Sequence, residues 1–108
     1  MIDGLWTLEF STPRLFGAGV VVCEDGRVLG GDAGYYYTGD YQMDGDKIGA
    51  KIDVVRFEPN SISVFGNMPR FQLILTGSVT ENELRAEGHT DQQPDACIQI
   101  NGRKKVDI

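Results

Sequence analysis

Val20-Val21-Val22-Cys23-Glu24-Asp25-Gly26-Arg27-Val28-Leu29-Gly30 reads as two strands folded back on each other. Both central residues of a type I′ hairpin turn need positive φ, which suits Asp-Gly, and aliphatic residues flank the turn on both sides. The same punctuation recurs outward from this hairpin. Asp44-Gly45 and Asn101-Gly102 are turn dipeptides of the same kind, and Gly30-Gly31-Asp32, Pro59-Asn60 and Gly66-Asn67 add further breaks. The apolar pieces between these marks are short, and none sustains a helical period long enough to require a helix.

Alternation then predicts the remaining strands. Trp6, Leu8 and Phe10 share one face of a strand from Gly4 to Phe10, and Gly17 to Cys23 follows as its partner. Tyr35-Tyr36-Tyr37-Thr38 favours extended structure. Ile48, Ala50, Ile52 and Val54 share one face between Ile48 and Phe57. Ile62 to Phe65 reads as a short strand, Phe71, Leu73 and Leu75 alternate through the next, and Glu83 to Thr90 turns Leu84, Ala86 and Gly88 inward. Ile98-Gln99-Ile100, the Asn101-Gly102 turn, and Val106 to Ile108 read as a last hairpin. Eight or nine short strands joined by tight turns give an all-β fold of antiparallel neighbours. Closure into an up-and-down barrel buries each apolar face and removes exposed edges. An interior of about eight strands is filled by side chains or holds one small ligand. Trp6, Phe10, Ile52, Phe71 and Leu73 are the candidate lining of such a pocket.

The chain of 108 residues reads as one domain over 1–108. No stretch approaches the roughly 20 apolar residues of a membrane-spanning helix. The start Met1-Ile2-Asp3-Gly4 lacks the pattern of a secretion signal, so a cytoplasmic protein with no membrane partner is expected. A net charge of −6 argues against nucleic acid as a partner. The acidity is uneven: Glu24, Asp25, Asp32, Asp40, Asp44 and Asp46 face only Arg27 between positions 24 and 46, which gives that segment a net charge of −5. Such a surface favours a basic protein partner. Cys23 and Cys97 are too few for a disulfide scaffold and read as core or strand-end thiols, with a single bridge between them left open.

Catalytic chemistry is not written in the chain. His89 is the only histidine, no Gly-x-Ser-x-Gly elbow is present, and no nucleophile–base pair can be named. Asp40, Asp44 and Asp46 resemble an oxygen-rich cation loop, but the twelfth position counted from Asp44 is Val55 instead of glutamate. Gly30-Gly31-Asp32-Ala33-Gly34 lacks the Lys and Ser/Thr of a phosphate loop and carries an aspartate in its middle. Arg103-Lys104-Lys105 reads as a solubilising run on a terminal strand. No cofactor and no metal are expected.

Asp3-Gly4-Leu5-Trp6-Thr7-Leu8-Glu9-Phe10, Gly17-Ala18-Gly19-Val20-Val21-Val22, Gly30-Gly31-Asp32 and Tyr37-Thr38-Gly39-Asp40-Tyr41 run in that order. In this the chain resembles the GrlR family of negative regulators of type III secretion. The signature is Gly-Gly-Asp followed by Tyr-x-Gly-x-Tyr, carried here by Gly30, Gly31, Asp32, Tyr37, Gly39 and Tyr41. The resemblance implies a lipocalin-like barrel that forms a homodimer, has no enzymatic activity, and binds a partner protein such as a transcription activator through an acidic loop. The matching place here is Met43-Asp44-Gly45-Asp46-Lys47, whose two acids are split by glycine. Asp44 and Asp46, with Asp40, are therefore the candidate partner contacts. The alternative reading is a carrier that holds an apolar small molecule inside the barrel.

Overall fold

A computed structural model describes residues 2–108. Eight strands follow in order: β1 (Gly4–Ser11), β2 (Phe16–Glu24), β3 (Arg27–Gly31), β4 (Tyr35–Asp44), β5 (Lys47–Arg56), β6 (Arg70–Thr80), β7 (Glu83–Thr90) and β8 (Cys97–Val106). Each pairs antiparallel with the next, and β8 pairs back onto β1, closing an up-and-down barrel. Among the described residues no helix is long and apolar enough to cross a membrane.

The local chemistry accounts for the tight turns at one end of the barrel. Glu24 pairs with Arg27 across Asp25-Gly26, which have φ of 53° and 84°, the double positive φ of a type I′ turn. Between β4 and β5 the turn is displaced by one residue from the expected pair. Asp44 pairs with Lys47, so the loop residues are Gly45 and Asp46, and only Gly45 (φ 63°) has positive φ. That is the pattern of a type II′ turn.

Two expected features give way to barrel closure. Asn101-Gly102 is not a turn but lies within β8, where Gly102 pairs with Leu8 on one side and Leu84 on the other. A local hairpin there would strip backbone partners from both β1 and β7, so the two ladders outweigh the turn propensity of the dipeptide. Gly102 is buried, and a Cβ on it would come within 2.9 Å of Leu8 Cδ2. The segment from Ile62 to Phe65 is not a strand: it belongs to the long β5–β6 connection, residues 57–69, and contributes one isolated bridge, Ser63 to Gly66. Both flanking walls already have their partners, because β5 pairs with β6 directly. The strand count is therefore eight.

The two ends differ. At the end bearing the tight turns, Trp6 is 1% exposed and donates its indole N–H to the Ile2 carbonyl at 2.8 Å. Lys104, at an inward position of β8, lays its ammonium 5.8 Å from the centre of the Trp6 ring and reaches Asp107 at 3.0 Å. Tyr41 donates to Asp3 Oδ1 at 2.9 Å. Trp6 thus plugs this end. The other end carries the longer connections, and residues 57–69 cross it. Phe65 packs edge-on against Phe71 at 5.4 Å between ring centres, and Tyr35 donates to the Met68 carbonyl at 2.8 Å. Thr12 Oγ1 donates to the Val64 carbonyl at 3.2 Å, tying the β1–β2 loop to the same crossing segment.

Candidate functional site

The barrel is not filled. A cavity of about 350 Å³ occupies its interior, at the lower end of the range for small-molecule sites. Small inward residues create the space: Ala50 on β5 and Ala86 on β7 stand where larger residues would fill the lumen, whereas the place of a side chain on Gly17 is taken by the Phe10 ring, which lies 2.5 Å from where its Cβ would be. Bulky aliphatic and aromatic side chains form the rest of the wall, including Ile48, Val54, Leu75, Leu84, Ile98 and Ile100. At the mouth Phe16 and Ile62 line the cavity while remaining 67% and 66% exposed.

Of the five pocket residues expected from the sequence, Phe10, Ile52, Phe71 and Leu73 line the cavity. Trp6 does not: it shares their inward face, but its strand position places it in the plug at the closed end. Alternation identifies a face and says nothing about depth along the barrel. The mouth residues Phe16, Ser61, Ile62 and Ser63 escaped the sequence reading, because Ile62 to Phe65 read as a strand. The breaks at Pro59-Asn60 and Gly66-Asn67, so close together, were the signal that favoured a connection.

The polar groups of the lining divide between the two ends, with the Cys23 thiol and the Tyr41 hydroxyl toward the closed one. Asp32, Ser61 and Ser63 all belong to connections at the open end. Asp32 is held by three donors: Oδ1 accepts from the backbone N–H groups of Gly34 and Tyr35, each at 2.9 Å, and Oδ2 accepts from the Tyr37 hydroxyl in a short hydrogen bond. Burial, reinforced by this bond and by the charge of Asp32, pushes the Tyr37 hydroxyl far above the ordinary tyrosine range. Among the described residues of the lining Asp32 is the sole charged one, and none is a lysine, arginine or histidine.

The six signature residues share this architecture. A Cβ on Gly30 would lie 2.7 Å from the Val21 Cα, one on Gly31 2.7 Å from the Tyr35 carbonyl oxygen, and one on Gly39 2.8 Å from Ile52 Cδ1. These glycines allow close approach of neighbouring strands. Asp32 and Tyr37 join at the mouth, whereas Tyr41 sits near the closed end. Burial and the Asp3 contact push the Tyr41 hydroxyl up to about 12, with a backbone hydrogen bond at Gly26 pulling the other way.

Asp40, Asp44 and Asp46 are all exposed, the first two on the outward face of β4 and the third in the adjoining turn. Their cross-strand neighbours are basic: Asp40 lies between Arg27 on β3 and Lys51 on β5, and Asp44 lies opposite Lys47. The local excess of acid seen along the sequence is thereby diluted in space. His89 pairs with Ile74 and Cys97 on the outer face, away from the cavity. Cys23 is a buried free thiol that burial pushes up to about 11, and Cys97 is an exposed free thiol at the start of β8. Among the described residues no three His, Cys, Asp or Glu side chains converge as a metal site requires. No family model matches the sequence, and no curated protein matches it.

Proposed function

We propose that this protein is a non-enzymatic carrier that binds one small, largely apolar molecule inside its barrel. The observation that carries the reading is the cavity of about 350 Å³, walled by aliphatic and aromatic side chains and reached past Phe16 and Ile62. Well-packed cores have few voids larger than a water molecule, so an unfilled apolar interior costs stability that a ligand would restore. At roughly 30 Å³ per non-hydrogen atom, the share of one water in the liquid, the space suits about a dozen such atoms. A neutral environment-sensitive fluorophore of that size, 1-naphthylamine, tests this by titration into the purified protein. Saturable binding of one molecule per chain, with a matching mass in native mass spectrometry, is expected. Absence of any saturable binding would refute the carrier role.

A second reading is a regulatory protein-interaction module, in which Asp40, Asp44 and Asp46 contact a basic partner such as a transcription activator. It is favoured by the exposure of all three on one row of β4 and its turn, and by the resemblance of the opening segments to the GrlR family, which also carries the expectation of a homodimer. Capture of a partner by the wild type but not by the Asp44→Lys, Asp46→Lys double variant is the expected result. Equal capture would remove these residues from the role.

A further inference from the structure

We propose that the barrel selects its ligand by head group, taking an apolar chain with an uncharged hydrogen-bond donor or a cationic amine at one end and rejecting the same chain ending in a carboxylate or phosphate. The inference rests on the carrier reading and specifies its ligand class. Asp32, Ser61 and Ser63 belong to open-end connections, so a ligand that buries its chain on the apolar walls presents its head to them. Asp32 carries the single charge among the described residues of the lining. A carboxylate has about four acceptor sites, and Gly34, Tyr35 and Tyr37 occupy three of those on Asp32. The remaining acceptor suits an incoming O–H or N–H donor. An anionic head would meet like charge at the mouth, where the described lining holds no lysine, arginine or histidine; beside Ser61, the Arg56 guanidinium on its carbonyl at 3.2 Å is offset by the Glu58 carboxylate that accepts from the Ser61 hydroxyl at 3.2 Å. The three internal donors also fix the carboxylate, so it is not free to swing away from a mismatched head.

The test uses the full chain with 1-naphthylamine bound, displaced at neutral pH by 1-decanol, decylamine or decanoate below their aggregation concentrations. Decanol and decylamine displace the probe, and decanoate is weaker by roughly tenfold or more, equivalent to about 1.4 kcal/mol. The gap between decylamine and decanoate narrows at high salt and in Asp32→Asn, which keeps an acceptor for the Gly34 and Tyr35 amides, while decanol is little changed. The wild-type comparison and its salt dependence stand even where the variant folds poorly. Decanoate binding as tightly as the other two, or more tightly, overturns the head-group inference and leaves the carrier reading intact. Failure of the probe and all three compounds to bind overturns the carrier reading and this inference with it.

Discussion

Ala50→Leu is expected to stabilise the empty protein and shorten the ligand it accepts. Ala50 sits inward on β5 between Tyr41 on β4 and Leu75 on β6, and it lines the cavity. Leucine adds three carbons pointing into unfilled space. At about 0.8 kcal/mol per buried methylene, the gain is about 2 kcal/mol where the new side chain meets no clash. For a chain of this size, at about 4 °C per kcal/mol, that is a rise of roughly 8 °C in Tm. The same three carbons take about 90 Å³ at roughly 30 Å³ each, against a cavity of about 350 Å³. The optimum in a series of 1-alkanols therefore shifts about three carbons shorter, in proportion to the volume removed. Differential scanning fluorimetry reads the first effect and probe displacement by hexanol through dodecanol reads the second. A fall in Tm would mean the site is already packed. A rise in Tm with an unchanged chain-length optimum would mean that ligands bind elsewhere.

Four other outcomes follow from the packing. Trp6→Ala is expected to cost about 3–5 kcal/mol, a large share of the roughly 5–15 kcal/mol typical of a domain; urea unfolding followed by far-UV circular dichroism measures it, since the chain has no other tryptophan to report. Gly39→Ala is expected to lose about 1–3 kcal/mol because its methyl would press on the Lys51 carbonyl and Ile52. By contrast Gly49→Ala, with nothing within 4 Å of the new Cβ, gains a few tenths to about 1 kcal/mol by narrowing the unfolded ensemble; the same unfolding assay ranks the two. Tyr41 ionises ordinarily near 10 but only at about 12 in the fold. Its neutral form therefore contributes stability that is fully present below pH 10 and is lost as pH rises through about 12. Thermal melts across pH 9 to 12 should show this loss reduced in Tyr41→Phe; an identical alkaline slope in the variant would contradict it.

The sites that were legible are those whose chemistry is local. Asp25-Gly26 demands a type I′ turn because two successive residues must take positive φ, and no distant contact competes with that need. Inward faces were equally readable, since the period of two in Ile48, Ala50, Ile52 and Val54 follows from the pleat alone. Asn101-Gly102 misled because its turn propensity, though real, is smaller than the backbone pairing that β1 and β7 both offer it. The Asp40 row looked strongly acidic because sequence distance separates it from Lys51, which β5 brings directly across from Asp40.

The sequence by itself determined an all-β chain, its principal hairpins and the residues that turn inward, because turn geometry and side-chain alternation are properties of a few neighbouring residues. Only the tertiary structure decided that the interior is hollow, that Trp6 plugs one end instead of lining the pocket, and that Asp32 guards the other. Cavity volume is a small difference between the space eight strands enclose and the side chains that fill it. That difference depends on strand tilt, register and the path of residues 57–69, which no single segment encodes.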